Sequence, residues 1–180
     1  MRDTYSNIYL HIIFHTKNIE VPIEENDLPE VFRYIGGVIR SSSGTAYVVG
    51  GRSDHVHILT SLPHTISLSD FVRGIKANTS RWIKTIHPRY KKFSWQAGYG
   101  AFSVSESCKE TVINYILNQK EHYKIVSAYD EYLLFLEKMG FWLPGPGLVN
   151  KNATIYRPAL CHPCGGILKL AAGAAIEIAA

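Results

Sequence analysis

Residues 45–62 restrict the fold more than any other stretch of this chain. Thr45 to Gly50 and His55 to Leu62 are short runs with the residue choice of β-strands. Gly50-Gly51-Arg52-Ser53-Asp54 between them is a turn cluster, and Pro63 closes the second run. Two strands joined this closely pair as an antiparallel hairpin. Helical periods flank the hairpin on both sides. Leu28 to Ser42 carries apolar residues at positions 31, 32, 35, 38 and 39 and ends in Ser-Ser-Ser-Gly. Ser67-Leu68-Ser69-Asp70 opens the second helix, with Ser67 as the cap and Asp70 reaching back as in a capping box. That helix runs to Ile86, buries Phe71, Ile75 and Trp82, and stops at His87-Pro88.

Ile8 to Thr16 reads as a strand ahead of these elements. Phe93 to Ser105, with its aromatics and Gly98 and Gly100, reads as a short irregular strand region. Ser107 to Tyr123 has the pattern of an amphipathic helix, and Asp130 to Lys138 that of a shorter one. The order is therefore strand, helix, strand, strand, helix, strand, helix. It predicts an α+β protein with a ferredoxin-like split βαβ core, its antiparallel sheet covered by helices on one face. A chain of 180 residues is long enough for one domain with a proper core. No internal repeat is visible. Pro144-Gly145-Pro146-Gly147 is a breaker cluster, and no clear period follows it. The division is a folded domain over 1–140 and an unassigned tail over 141–180.

The hydrophobic fraction of 46% and the charged fraction of 19% exclude a disordered chain. A net charge of +4 and a pI near 8.9 are compatible with an anionic partner. With three cysteines and no apolar leader after Met1-Arg2-Asp3-Thr4, the default is a reduced, cytoplasmic protein. Gly165 to Ala180 is apolar but contains Lys169 and Glu177, too short and too charged to span a bilayer, so no membrane is expected. Cys161-His162-Pro163-Cys164 is a single CxxC-like knuckle, whereas a structural zinc site needs four ligands. No nucleotide-binding motif is present, and no nucleotide cofactor is expected.

His55-Val56-His57 lies within the second strand of the hairpin. Alternation points both imidazoles to one face, where they can grip one metal ion. Tyr115 and Gln119 lie four apart on the later helix and project together. If that helix face covers that strand face, a tyrosine nucleophile stands beside a metal, an arrangement suited to cutting and rejoining a phosphodiester. The residues alone also fit a plainer reading: satisfied surface histidines, a packing tyrosine and a solvated glutamine. His11 and His15 share a face of the first strand and read as structural or surface groups. Arg73, Lys76, Arg81 and Lys84 recur along the central helix, and Lys91-Lys92 follow it. They form either a solvated face or a phosphate-tracking surface, with Trp95, Tyr99 or Phe102 to stack unpaired bases.

Several stretches resemble the small single-tyrosine HUH transposases, the insertion-sequence-200-like group and its REP-associated relatives. They are LHIIFHTKN, SDHVHILTSLP, LSDFVRGIKANTSRWI, FSWQAGYGAFSVSES and VINYILNQKEHYK, in the family's order, over roughly residues 5 to 140. The resemblance implies that His55 and His57 are the metal-binding pair. Tyr115 then matches the nucleophile of a Tyr-Ile-x-x-Gln segment, and Gln119 a third, helix-borne ligand. It further implies Mg2+ or Mn2+, a covalent 5′-phosphotyrosine, and single-stranded DNA with hairpins as the substrate. The protein is expected to be a homodimer in the bacterial or archaeal cytoplasm, nucleoid-associated when acting. The tyrosine helix of one subunit can complete the histidine site of the other, with Gly98 and Gly100 as a hinge and Ser103 to Ser107 crossing over; the plainer reading is that the helix packs in cis on its own sheet. The alternative is a catalytically silent, domesticated hairpin-binding protein that keeps the fold without cutting.

Overall fold

The computed structural model describes residues 5–17 and 21–118. Strand β1 spans Tyr9–His15, helix α1 Leu28–Ser41, β2 Ala46–Gly51, β3 His55–Ser61, α2 Leu68–Ile86, β4 Gly100–Val104 and α3 Lys109–Leu117. Short 3-10 turns, Pro88–Lys92 and Glu106–Cys108, precede β4 and α3. The expected order of elements is thus the observed one.

The four strands form one sheet in the order β2-β3-β1-β4, and each neighbouring pair is antiparallel. β1 and β2 therefore run parallel with β3 inserted between them, and β3 and β4 run parallel around β1. These are two interleaved split βαβ units, the ferredoxin-like arrangement that the sequence predicts.

Leu10, Ile12 and Phe14 of β1 and Val56 and Ile58 of β3 point into a core shared with α1 and α2. From α1 come Leu28, Val31, Ile35, Val38 and Ile39, and from α2 Phe71, Val72, Ile75 and Ile83. Burial of these helix stripes supplies the main drive to fold. Trp82 is only half-buried; it stacks on Tyr34, ring centroids 4.2 Å apart, where α1 and α2 meet. Ser67 caps α2 by accepting from the Asp70 backbone N–H at 3.1 Å. The Asp70 carboxylate reaches back to the Ser67 hydroxyl at 2.8 Å, a variant of the expected box.

Helices on one face describes α1 and α2. α3 lies on the opposite face, where Val112, Tyr115 and Ile116 pack against Leu59. Leu59 points away from Ile58 because strand side chains alternate. The residues before β4 are irregular, as expected, for a definite reason. Ser94 and Gln96 bond along the end of β1, through Lys17 N–H to Ser94 O at 2.8 Å and Gln96 N–H to His15 O at 2.9 Å. The chain then leaves the ladder until Gly100 pairs with Ile13. The Lys76 ammonium donates to the carbonyls of Gln96, Ala97 and Gly98 at 2.7, 3.0 and 2.9 Å. Its three hydrogens thereby satisfy three carbonyls that the ladder leaves out.

The rest of the helix to Tyr123, the helix over 130–138, the breaker cluster, the boundary at 140 and the cysteines of the tail lie outside the described residues, as does Gln119. Among the described residues no helix is long and apolar enough to cross a membrane.

Candidate active site

The register of the sheet assembles the site. β1 pairs with β3 so that Ile13 faces His57 and His15 faces His55. His11, Ile13 and His15 therefore share a face with His55, His57 and Leu59, the face that α3 covers. The imidazoles form a row: His11 to His57 5.2 Å, His57 to His55 5.2 Å and His55 to His15 5.5 Å between ring centroids. Tyr115 of α3 stands edge-on over this row, its ring centroid 5.6 Å from that of His57 and 6.0 Å from that of His11. The expected pair and the expected tyrosine are thus brought together within one chain.

Two hydrogen bonds orient the pair. Nδ1 of His55 lies 2.7 Å from Asp54 Oδ1, and Nδ1 of His57 lies 3.0 Å from His11 Nε2. The turn that holds Asp54 depends on Gly51, whose φ of +142° suits glycine. A Cβ there would lie 2.3 Å from the His55 carbonyl oxygen.

Burial dominates the electrostatics of His11 and His57. It pushes the His11 imidazole down to about 3. It also lowers His57, with further lowering from the neighbouring His11, His55 and His15. Both rings are therefore neutral near pH 7, the state in which an imidazole nitrogen can bind a metal. Burial alone would raise the Asp54 carboxyl, but its hydrogen bond to His55 and the charges nearby outweigh that, and the group is lowered. Among the described residues no group of three His, Cys, Asp or Glu stands ready to hold a metal ion. The two histidines, buried and oriented through Nδ1, fit two positions of a donor set, and a third donor must come from elsewhere.

The expected DNA contacts separate into two kinds. Trp95 is 6% exposed and packs edge-on against Phe14 and Phe93, so its ring belongs to the core and is not presented to bases. Lys76 is engaged by the three carbonyls and lies 5.5 Å from the Phe14 ring centroid, so its charge holds the loop before β4. Phe102, the register partner of His11, is buried too. Arg73, Arg81, Lys84, Lys91 and Lys92 are exposed. Arg73 pairs with Asp70 at 2.6 Å, and Arg81 donates to Asn78 Oδ1 at 3.1 Å. Because α2 packs on the sheet face opposite the histidines, its cations and the histidine row lie on opposite sides of the sheet.

The hinge expectation needs correcting. Gly100 is inside β4, and the whole strand separates Gly98 from α3. Bending at 98–100 would pull β4 out of the sheet. Only Ser105 to Cys108 links β4 to α3, so any independent movement of that helix belongs there.

The residue that sequence reasoning undervalued is His11. Its shared face with His15 was legible, but only the pairing of β1 with β3 places it against His57.

The chain shares its fold with a candidate transposase from Deinococcus radiodurans known from a crystal structure. The TM-score is 0.52 and the identity 19%, over 66% of this chain and 95% of the other. A REP-associated tyrosine transposase bound to a REP hairpin has a TM-score of 0.50 and 16% identity, over 79% of this chain and 87% of that one. No curated protein matches. The sequence pattern described as "Transposase IS200 like" matches residues 4–119, which include the whole described sheet, the histidine row and Tyr115. With that match over more than half its length, the chain belongs to the IS200-like transposase family.

Proposed function

We propose that this protein cuts and rejoins single-stranded DNA that carries hairpins, through a covalent 5′-phosphotyrosine on Tyr115. The observation that carries the reading is Tyr115 standing over His57 at 5.6 Å within a member of this family. A hairpin is the ligand in the REP-associated structure of like fold, which supports the same substrate class here. His55, His57 and Gln119 would hold Mg2+ or Mn2+. When bound, the ion would neutralise charge on the non-bridging phosphate oxygens.

The chain's own residues do the rest. Tyr115 Oη attacks the phosphorus, the phenol gives up its proton, and the bond to the 3′ oxygen breaks. The leaving oxygen takes up a proton and departs as a free 3′-hydroxyl. Attack of a 3′-hydroxyl on the phosphotyrosine restores a phosphodiester and returns the phenol, so no external energy source is needed. Tyr115 is 8% exposed on the sheet-facing side of α3, so α3 must lift at Ser105 to Cys108 to admit the strand. Arg73, Arg81, Lys84, Lys91 and Lys92 would hold the backbone of the hairpin by charge. Two copies in a homodimer would present two sites, as joining two DNA ends requires.

The test is a hairpin oligonucleotide incubated with protein and Mn2+ and analysed for a denaturant-stable adduct. Wild-type protein should form the adduct with a 5′-phosphate link, and a chelator should stop it. Tyr115→Phe should abolish the adduct while hairpin binding persists, and Tyr123→Phe should retain it. Loss in Tyr123→Phe but not in Tyr115→Phe would move the nucleophile. Hairpin binding by the wild type with no adduct would favour the silent binder instead.

A further inference from the structure

We propose that His11 is the positioning residue for His57, accepting the Nδ1 proton of His57 so that Nε2 offers its lone pair to a divalent cation. The inference rests on the reading of His55 and His57 as the metal pair.

A neutral imidazole carries one ring proton, and the nitrogen without it is the only one that can bind a metal. For His55 the choice is settled by its partner. The Asp54 carboxylate accepts but does not donate, so the 2.7 Å contact requires the proton on Nδ1 and leaves Nε2 with the lone pair. For His57 the partner is another imidazole, 3.0 Å away, and either ring can donate. With the proton on His11 Nε2, His57 would accept through Nδ1 and carry its own proton on Nε2, where it cannot be a ligand. With the proton on His57 Nδ1, His11 accepts, and the two strand histidines present the same nitrogen. Only this second arrangement suits a shared ion, so His11 must keep its own proton on Nδ1.

The fold favours that pairing geometrically. His11 is the register partner of Leu59, which makes His57 its diagonal neighbour on the same face of β1 and β3. The two rings lie near parallel, 30° apart, with His11 1% and His57 3% exposed. Water therefore does not compete for the bond. A neutral acceptor also adds no negative charge where DNA phosphates must approach, whereas a second carboxylate would repel them.

Three chains and two readouts test this: wild type, His11→Phe, which fills the space without an acceptor, and His11→Gln, whose side-chain carbonyl restores one. Mn2+ binding to the DNA-free protein should weaken about 10- to 100-fold in His11→Phe and return most of the way in His11→Gln. Nitrogen-15 NMR of the wild type should show His57 protonated at Nδ1 and bare at Nε2. A proton on Nε2 of His57 in the wild type overturns the proposal, and so does unchanged Mn2+ affinity in a folded His11→Phe chain. If His11→Phe fails to fold, the wild-type tautomer still decides. A His57→Ala control separates the two levels. Mn2+ affinity unaffected by His57→Ala refutes the metal pair itself, whereas loss in His57→Ala alone refutes only the role of His11.

Discussion

Ile116 of α3 rests directly on Gly50 of β2. A methyl group at position 50 would lie 2.8 Å from Ile116 Cγ2 and 2.9 Å from its carbonyl oxygen. Gly50 is also the register partner of His57, so the absent side chain lets α3 approach the sheet beside the histidine row. The backbone of α3 cannot yield as a flexible side chain would. Gly50→Ala should therefore unseat α3 and carry Tyr115 away from His57. The expected cost is about 1–3 kcal/mol, as for other overpacked sites. Hydrogen exchange should show faster exchange in α3 with β1 and β3 unchanged, together with less adduct. Wild-type protection of α3 in the variant would refute this seat.

Lys76 and the pair Lys91 and Lys92 should respond differently to truncation. Lys76→Ala strands three carbonyls beside β4 and should lower stability by about 2 kcal/mol, read from urea midpoints. Lys91→Ala and Lys92→Ala should change stability by less than about 0.5 kcal/mol. Each should instead weaken hairpin binding and reduce its salt slope by about 0.7. Normal stability in Lys76→Ala would overturn its structural role.

Acid should destabilise the metal-free protein through the buried imidazoles. Burial holds folded His11 at about 3, against an ordinary value near 6.5, and also lowers His57. Between those values the unfolded chain binds more protons, so stability is complete above about pH 6.5 and falls as the pH drops towards 3. One such group contributes up to about 1.4 kcal/mol per pH unit within that window. Urea midpoints at pH 7 and pH 5 should differ more for wild type than for His11→Gln. Equal differences would show that His11 is not held neutral.

Mixing two inactive chains tests whether α3 works on its own sheet. Tyr115→Phe supplies intact histidines, and His57→Ala supplies an intact tyrosine. The seat of Ile116 on Gly50 of the same chain, with only Ser105 to Cys108 as the link, sets the expected result at no recovery of adduct. Recovery, once subunit exchange is confirmed by mass, would show that α3 crosses to a partner and that the seat seen here is a resting position.

What could be read in the sequence follows from the range over which each signal acts. The β2–β3 hairpin was legible because its turn residues and both strands lie within one short window. α2 was legible because its cap and apolar period are written in consecutive turns, and His55 with His57 because alternation is a property of one strand. Lys76 read as a phosphate contact, and Trp95 as a stacking platform, because charge and ring size do not reveal what a side chain will meet. Only the folded loop before β4 supplied the three carbonyls, and only Phe14 and Phe93 closed over the indole. The role of His11 lay further still from local pattern. It depends on β1 entering the sheet between β3 and β4, and on a register that sets His11 diagonal to His57. A shift of one residue would turn His11 to the opposite face. The place of α3 was settled in the same way, by the bare backbone of Gly50 against Ile116, a contact between residues 66 positions apart that neither local pattern announces.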